Sequence, residues 1–426
     1  MARAKKEAAL TPEERLQAAL VPDWEWPYKL PENWCWVYAP HIFDIEYGKG
    51  LPTKQLSDTG YPVFGANGQI GFYSEYMYKE PQALMSCRGA YSGTMNKSLP
   101  YSYVTSNSLI ISSPRGLMGT DCIYYLFSAL NVSELISGTA QPQVTVQAFD
   151  GFPIPLSPLA EQQRIVDRIE SLFAKLDEAK EKAQAVVDSF ETRKAAILHK
   201  AFTGELSAKW REEHGVSIDN WKTTRFDSVA AIRSNLVDPA EYQSFPHIAP
   251  DNIEKKTGVL LEYHTIAEDG VTSGKHRFYS GQILYSKIRP YLSKVVVVDF
   301  DGLCSADMYP IEAYQNARCL WYYMLSDEFL LQASTAGSRS VLPKINQKEL
   351  SALTVHLPTN DREQEEIARI LDELFDKEQQ TKEAAEAVLD QIDLMKKSIL
   401  ARAFRGELGT NDPSEESAVE LLKQII

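Results

Sequence analysis

Apolar residues in two segments recur at alternating steps of three and four, the spacing of a helix that buries one stripe of side chains. The first segment runs from residue 161 to 202 and the second from 363 to 404. The first stripe comprises Ile165, Ile169, Leu172, Leu176, Ala179, Ala183, Val186, Phe190, Ile197 and Ala201, with a polar interruption near Lys194. The second comprises Ile367, Leu371, Leu374, Thr381, Ala385, Val388, Ile392, Met395, Ile399 and Ala403. The pattern predicts two long helices, the first starting near Pro158, which end at Gly204 and Gly406.

The two segments are copies of each other. Residues 161–206 and 363–408 align without a gap at 20 of 46 identical positions, and both copies end in nearly the same phrase, AFTGEL and AFRGEL. A helix of this length with a single apolar stripe cannot bury that stripe alone. We therefore predict a coiled coil between the two copies, with a dimer that uses the same stripes as the alternative.

The segments in front of each helix have the pattern of globular domains. Short β-prone runs, such as SLIISS and KVVVVDF, alternate with glycine-containing loops such as GANGQIG and RGAYSG. Each begins near a tryptophan, in LPENW and IDNW. We predict mixed α/β domains at 22–157 and 207–358, helices at 158–206 and 359–408, an N-terminal helical extension at 1–21 and an acidic tail at 409–426. The result is an internal repeat of pseudo-two-fold character.

Charge and cysteine content limit the class of protein. The formal net charge is −14, but more than half of the excess acid lies in residues 361–426, so a basic face on either domain remains possible. The five cysteines form no CxxC pair, which predicts ordinary thiols in a reducing compartment. No signal-peptide pattern and no run of 18 apolar residues occurs. We expect a soluble, cytoplasmic protein without a membrane segment.

Motifs of catalysis are missing from the sequence. It contains no P-loop, no dinucleotide-binding glycine motif, no Asn-Pro-Pro-Tyr methyltransferase motif and no histidine pair at ligand spacing. We therefore predict no catalytic residue, no metal site and no cofactor.

The domains do contain the side chains that read DNA. Amides and guanidinium groups recognise base edges, whereas lysines and hydroxyls contact phosphates. Candidates in the first domain are Asn67, Gln69, Arg88, Tyr91, Asn96 and Lys97. In the second domain, basic residues are interleaved with aromatic ones, and the candidates there are Lys275, Arg277, Lys287, Arg289, Tyr291, Lys294 and Arg339. Burial of the tyrosines and a protective role of lysines at a sheet edge are the structural alternatives.

These features resemble the specificity subunits of Type I restriction-modification systems. The resemblance is carried by PLAEQQRIVDRIESLFAKLD, the repeated AF-x-GEL, LPENW, and GQILYSKIRPYLSKVVVVDFDGLCSADM. It implies two target recognition domains that bind a bipartite, asymmetric site in double-stranded DNA. It also implies an antiparallel coiled coil that spaces them. S-adenosylmethionine and the catalytic residues would belong to methyltransferase subunits, of which two are expected, and ATP-driven cleavage to a restriction endonuclease and translocase subunit.

The resemblance places ALMSCRGAYSG of the first domain where the second domain has ILYSKIRPYLS. The two domains should therefore read different DNA sequences. The repeated turns are candidates for docking the partner subunits, through Phe202, Glu205, Phe404 and Glu407. A phenylalanine at a helix end can equally close the helix against its own domain. A coiled-coil scaffold with protein-binding domains, and the specificity arm of a coupled restriction-methylation enzyme, are the alternative functions.

Overall fold

The computed structural model describes residues 11–336 and 343–425. The chain forms two compact units, Met1–Lys182 with Ala387–Ile426, and Ala183–Glu386. The boundaries fall inside the two long helices, so each unit combines a globular part with one segment of each helix. Among the described residues, no helix has both the length and the apolar character needed to cross a membrane. All five cysteines are buried free thiols, in agreement with the prediction.

Ten α-helices occur in the described residues. They are α1 Pro12–Ala19, α2 Thr120–Ala129, α3 Leu159–Asp188, α4 Phe190–Phe202, α5 Ala208–His214, α6 Ala317–Met324, α7 Asp327–Ala336, α8 Gln347–Ala352, α9 Asp361–Ala403 and α10 Ala418–Lys423.

The first unit contains eleven described strands. They are β1 Cys35–Tyr38, β2 Asp44–Tyr47, β3 Tyr61–Gly65, β4 Gly68–Tyr73, β5 Ala83–Ser86, β6 Met95–Lys97, β7 Tyr103–Val104, β8 Ser108–Ser112, β9 Ile136–Ser137, β10 Gln143–Val144 and β11 Pro153–Leu156. Strand β1 pairs with β11, and β9 pairs with β10. A four-stranded sheet has the order β2-β8-β5-β6, and a three-stranded sheet has the order β4-β3-β7.

The second unit also contains eleven described strands. They are β12 Trp221–Arg225, β13 Ala230–Ile232, β14 Leu236–Val237, β15 Pro246–Ile248, β16 His264–Thr265, β17 Lys275–Phe278, β18 Ile283–Ser286, β19 Val295–Val297, β20 Gly302–Cys304, β21 Met308–Ala313 and β22 Thr354–Pro358. The pair β12–β22 and the sheet β13-β21-β18-β19 repeat the arrangement of the first unit. The third sheet differs, because here it has five strands in the order β14-β17-β20-β15-β16.

The two long helical segments contact each other in an antiparallel sense within each unit. In the first unit, Lys180 pairs with Asp393 at 3.3 Å, and Lys396 pairs with Asp177. The second unit has the same arrangement. Along its cross-helix contacts, residue numbers increase on the first helix while they decrease on the second. These contacts are Phe190 with Lys382, Arg193 with Glu378, and Lys194 with Phe375. The predicted fold class, mixed α/β domains with two long helices in an internal repeat, is confirmed.

The first long helix is interrupted, which corrects the prediction of two equivalent continuous helices. Helix α3 ends at Asp188 and α4 begins at Phe190, whereas α9 is continuous from Asp361 to Ala403. The Ser189 hydroxyl donates to the Ala185 carbonyl at 2.6 Å, and Arg193 donates to the carbonyl of Val186 at 3.2 Å. These side chains compete with main-chain donors for the helical carbonyls. The repeat-equivalent residues of α9 are Gln391 and Met395, and α9 continues through them.

The second apolar stripe is less regular than predicted. Thr381, Val388 and Met395 are exposed, although they occupy stripe positions. The side chains that face the first helix include two lysines, whose ammonium groups lie about 5.0 Å from the rings of Phe190 and Phe173. The aliphatic part of a lysine side chain can cover apolar surface, as a short aliphatic side chain does. Sequence periodicity alone therefore misassigns this face of α9.

A buried glutamate near the start of α9 joins the elements of the second unit. The Glu363 side chain is fully buried and accepts hydrogen bonds of 2.7–2.9 Å from four side chains: Ser207, Arg211, Asn220 and Trp221. Burial by itself raises the pKa of this carboxyl, but these hydrogen bonds outweigh burial and hold the pKa below its ordinary value. The opening tryptophan, the start of α9 and the segment after α4 therefore meet at one carboxylate.

The first unit has the equivalent arrangement at Glu161. This fully buried carboxylate accepts hydrogen bonds from the Trp34 indole at 2.7 Å, from Asn411 at 2.8 Å and from Thr410 at 3.2 Å. The sequence shows no repeat counterpart of the acidic tail. In the structure, however, Thr410 and Asn411 of the tail donate hydrogen bonds to Glu161, as Ser207 and Arg211 do to Glu363. The rest of the tail is also folded, since Ala418 and Leu422 of α10 are fully buried in the core of this unit.

We expect substitution of Glu363 by Gln to destabilise the second unit by about 3 kcal/mol, because it leaves the buried Arg211 guanidinium without its counter-charge. The matched variant Glu161→Gln should cost less, about 1–2 kcal/mol, since all three donors there are neutral. Calorimetric unfolding of the two variants measures the difference. Because the folded-state pKa of Glu363 lies below 4.5, its contribution persists above that pH and is lost as pH falls further. Equal costs for both variants at neutral pH would contradict this interpretation.

Candidate nucleic-acid interface

Two β-hairpin loops occupy equivalent places in the two units. The first hairpin loop, residues 87–94, joins β5 to β6, and the second hairpin loop, residues 287–294, joins β18 to β19. Both strand pairs are antiparallel members of the repeated four-stranded sheet. The loops are separated by 200 positions, and the correspondence that the resemblance predicted between the two stretches is confirmed.

Most main-chain hydrogen bonds of the two loops correspond, with a difference near the loop end, where Gly93 donates to Ser86 but Ser293 donates to Pro290. A residue at each loop start donates to a neighbouring segment, Cys87 to Asn107 and Lys287 to Asp307, both at 3.0 Å. The donors and acceptors of four further bonds match in the same way: Ser86 to Thr94 and Ser286 to Lys294; Gly89 to Pro142 and Arg289 to Pro343; Val144 to Cys87 and Ile345 to Lys287; Ser92 to Gly89 and Leu292 to Arg289. All of these bonds join backbone N–H and C=O groups, so both loops have one shape despite their different side chains.

This shape requires left-handed backbone at two points. The first hairpin loop has glycine at both, Gly89 with φ of 79° and Gly93 with φ of 87°. The second hairpin loop has Arg289 with φ of 49° and Ser293 with φ of 46°. A left-handed non-glycine residue costs roughly 1–2 kcal/mol, and such cost is found most often at functional sites.

The outer part of each loop presents side chains to solvent. Tyr91 and Tyr291 are equivalent residues, and they are 50% and 47% exposed. Arg88 and Arg289 are also exposed, one position apart in the loop alignment. An aromatic side chain and a guanidinium group near one point can contact a thymine methyl group and donate to a base edge or phosphate.

The other candidates of the first unit are Asn67, Gln69, Asn96 and Lys97, of which the last two are adjacent residues of β6. Asn67 and Gln69 are exposed at the turn between β3 and β4. Ser86 joins this turn to the first hairpin loop, because its hydroxyl donates to the carbonyl of Ala66 and accepts from Asn96 at 3.4 Å. These three candidates therefore lie near the loop. Lys97 instead forms an ion pair with Asp121 at 2.7 Å.

Three lysines of the second unit have their ammonium groups bound inside the protein. Lys275 is buried and donates to Ser273, Lys287 donates to the carbonyl of Ala306 at 2.6 Å, and Lys294 donates to that of Pro250 at 2.7 Å. Burial lowers the pKa of Lys275. Their contact with phosphate, which the sequence predicts, stays a prediction that would require these internal bonds to be exchanged.

Arg277 lies on the five-stranded sheet rather than on the second hairpin loop. Its guanidinium group is 4.8 Å from the ring centroid of Tyr279, 5.4 Å from that of Tyr242 and 5.9 Å from that of Phe245. The aromatic rings hold the guanidinium in a fixed direction by cation–π attraction. The remaining candidate, Arg339, lies outside the described residues.

The docking candidates divide into buried and exposed residues. Phe202 and Phe404 are only 5% and 3% exposed and belong to the cores of their units. Their burial favours the alternative in which each ring closes its helix end against its own domain, and a role of these rings in docking stays a prediction. Glu205 and Glu407 are exposed, and their docking role stays a prediction.

Each phenylalanine forms part of the floor of a groove. The first groove, about 350 Å³, is lined by Phe404 and Arg405 at the end of α9 and by Leu130 and Asn131 after α2. The second groove, also about 350 Å³, is lined by Phe202 and Thr203 at the end of α4 and by Asp327 and Glu328 after α6. The helix-end residues are related by 202 positions and the others by 197, so the grooves occupy equivalent places in the internal repeat. Their remaining lining differs, with Tyr28 and Trp36 in the first groove and Ala195 and Leu198 in the second.

The sequence carries little signal of the hairpin that the two domains share. Only three identities mark the shared hairpin at constant spacing: Leu84 with Leu284, Ser86 with Ser286, and Tyr91 with Tyr291. A self-comparison at 200 instead of 202 positions would have found them. The grooves have no signal in the sequence, since their two walls come from distant parts of the chain.

Comparison with known proteins identifies the class. The model of the family described as Type I restriction modification DNA specificity domain matches residues 31–187 and 218–389. The EcoDI specificity subunit of a Type I restriction enzyme, from Escherichia coli, is 34% identical over 405 residues, covering 87% of this chain and 89% of that protein. The EcoKI specificity subunit of Escherichia coli strain K12 is 25% identical over 331 residues, covering 69% and 68%.

Solved structures support the same fold. A chain from a study of complex assembly and conformational transition of the type I R-M system superposes with a TM-score of 0.66 at 19% identity, over 90% of this chain and 100% of that one. The HsdS subunit from Thermoanaerobacter tengcongensis gives 0.58 at 19% identity, with the same coverage. The chain belongs to the Type I restriction-modification specificity subunits, and it is a DNA sequence-specificity subunit.

We expect Gly89→Ala to destabilise the first unit by about 1 kcal/mol, because the new Cβ would meet no atom within 4 Å and only the left-handed backbone is strained. The matched change Arg289→Gly should raise the stability of the second unit or leave it unchanged, since relief of strain is offset by glycine's greater freedom in the unfolded chain. Scanning calorimetry measures both. Destabilisation by Arg289→Gly would show that the arginine side chain supports the fold.

Proposed function

We propose that residues 22–157 and 207–358 are two target recognition domains, each of which reads one half of a bipartite, asymmetric site in double-stranded DNA. The observation that carries the proposal is the pair of hairpin loops. One main-chain geometry presents a tyrosine at the same point in both units, whereas the flanking residues differ, RGAYSG in the first and IRPYLS in the second. Equal geometry with different side chains is what two readers of unlike sequences require.

The surface proposed for the first half-site comprises exposed and half-buried side chains on and beside the first hairpin loop. Arg88 and Tyr91 lie on the loop, and Asn67, Gln69 and Asn96 surround it through the bonds of Ser86. Amide side chains pair with adenine and guanidinium groups with guanine, so this set can discriminate base pairs in the major groove. Lys97 would contact phosphate.

The surface proposed for the second half-site has Arg289 and Tyr291 at its centre. Both side chains are exposed on a loop whose main chain is fixed by backbone hydrogen bonds, so little ordering entropy is lost on binding. Lys275, Arg277, Lys287, Lys294 and Arg339 remain proposed contacts of the same domain. The internally bonded lysines contribute positive potential even where their ammonium groups do not reach the DNA.

We also propose that the subunit is non-catalytic and that it works in the cytoplasm. In this family, the chemistry of modification and cleavage belongs to methyltransferase and restriction subunits, and a specificity subunit delivers them to a DNA sequence. S-adenosylmethionine and ATP would then bind to those partners.

The two equivalent grooves are the proposed docking sites for two copies of the methyltransferase subunit. Equivalent grooves of about 350 Å³ in both units suit one identical segment presented twice. The exposed Glu205 and Glu407 follow the groove-lining helix ends by three residues and would lie at the rim of each interface. Their rim position predicts an influence on association rate more than on affinity.

For DNA recognition, we expect Tyr291→Ala to relax or abolish recognition of one half-site only, and Tyr91→Ala to affect the other half-site only. Loss of one specific base contact corresponds to roughly 1–3 kcal/mol, or about five- to 150-fold in affinity. Mapping of methylated sites with the assembled enzyme distinguishes the half-sites. Tyr47 and Tyr314 are exposed tyrosines outside the loops, and their alanine variants are the controls.

A second comparison separates side-chain recognition from loop strain. Arg289→Gly and Ser293→Gly both relieve a left-handed residue of the same loop, but only the former removes a guanidinium group. Only Arg289→Gly should weaken the second half-site. An equal effect of the two variants would indicate that loop flexibility is responsible, and no effect of any loop variant would refute the proposed interface.

For docking, we expect Asn131→Trp and Glu328→Trp, at exposed equivalent positions, to fill one groove each. Each single variant should reduce the complex from two methyltransferase copies to one, and the double variant should leave none, as measured by native mass spectrometry. Trp substitutions at Tyr314 and Tyr47, which lie outside the grooves, are the controls. Retention of two copies by the double variant would exclude the grooves as docking sites.

A further inference from the structure

A buried lysine of the first long helix is bonded to main chain instead of a carboxylate. Lys194 lies on α4, where it interrupts the apolar stripe, and only 8% of it is exposed. Its ammonium nitrogen donates to the carbonyl of Lys256 at 2.9 Å and to that of Thr257 at 3.2 Å, and lies 5.7 Å from the ring centroid of Phe375.

Such a group is costly to the fold. Burial lowers the pKa of Lys194, and the negative charges of Glu191 and Glu254 offset this only in part. A buried ammonium group that lacks a directly paired carboxylate recovers little of its lost hydration energy. An apolar residue at this stripe position would avoid the cost of burying a charge. What the lysine adds, compared with such a residue, is its hydrogen bonds to the two carbonyls.

The carbonyls that Lys194 binds belong to a segment that holds the second hairpin loop. The backbone N–H of Lys256 donates to the carbonyls of Leu292 at 3.0 Å and Ser293 at 3.3 Å. Lys256 itself has a left-handed backbone, with φ of 64°. The hydroxyl of Ser293 is buried without a hydrogen-bond partner, so main-chain bonds rather than this side chain fix the loop end.

The internal repeat provides a matched counterexample. Lys396 on α9 is equivalent to Lys194 and lies 5.0 Å from the ring of Phe173, which is equivalent to Phe375. Its ammonium group, however, pairs with the carboxylate of Asp177 and is bonded to no loop carbonyl in the described residues. The lysine–phenylalanine contact is therefore common to both copies, and the bonds to main chain are special to Lys194.

We propose that Lys194 is a positioning residue that ties the second hairpin loop to helix α4 through residues 256–257. By this tie, Arg289 and Tyr291 are held in the geometry in which they meet the second half-site. The inference rests on the proposed function of the loop. It assigns to the long helix a role in the accuracy of DNA reading as well as in the architecture.

The test compares Lys194→Met, which keeps the apolar stem over Phe375, with Lys194→Arg, which can still donate to both carbonyls. Lys396→Met is the control at the equivalent position. Hydrogen exchange followed by mass spectrometry reports on the backbone amides of residues 254–258 and 289–294, with residues 86–94 as the internal reference. Binding and methylation by the assembled enzyme report on each half-site separately.

We expect Lys194→Met to accelerate exchange in residues 254–258 and 289–294 only, and to weaken binding to the second half-site by on the order of tenfold. Recognition of the first half-site should be unchanged, Lys194→Arg should restore both properties, and Lys396→Met should alter neither. Unchanged exchange in Lys194→Met would overturn the proposal, as would acceleration throughout the second unit. Accelerated exchange in the loop with unaltered DNA recognition would uphold the tie but refute the proposed function of the loop.

Discussion

The hydrogen bond between an opening tryptophan and a buried glutamate fixes the frame of each unit. Trp34 donates to Glu161 and Trp221 to Glu363, and in each unit further donors come from the segment that follows the other long helix. A buried carboxylate is tolerated only when all its neighbours are in place, so three distant parts of the chain must assemble together. This requirement explains why the Asn-Trp pair at each domain entry and the Glu-Gln pair at each helix start recur in a chain whose domain interiors have diverged.

The four-stranded sheet is a second structural feature that both units share. Its strand order is the same in both units, and its hairpin loop has matching main-chain bonds. The third sheet repeats only in part: β4-β3-β7 has its counterpart in β16-β15-β20, with the same antiparallel and parallel pairs, and the second unit adds β17 and β14. Each unit therefore combines a fixed support, a repeated hairpin and a third sheet that is extended in one unit only.

The sequence predicted the helices well because their periodicity is a local property. It failed where the outcome depends on individual side-chain contacts. Ser189 has no unusual pattern around it, and the break coincides with side chains of Ser189 and Arg193 that donate to helical carbonyls. Val388 and Met395 occupy stripe positions but are exposed, because lysine stems cover the facing rings.

The basic stretch after Gly274 shows the same limit for the candidate interface. The stretch includes the second hairpin loop, where Arg289 and Tyr291 are exposed. Composition could not distinguish these from Lys287 and Lys294, whose ammonium groups bind carbonyls of Ala306 and Pro250. Whether a lysine side chain points into the protein or into solvent depends on carbonyl groups of other loops. The local sequence does not show where those carbonyls lie.

The bonding of the hairpin loops has a consequence for how such a protein changes over generations. Because the hydrogen bonds that the two loops share join backbone groups, the side chains at the tip can differ without loss of these bonds, and the pair RGAYSG and IRPYLS is an instance. Even the left-handed positions accept arginine and serine in place of glycine. Substitutions at the tip of such a loop can therefore accumulate over generations in a chain that still folds.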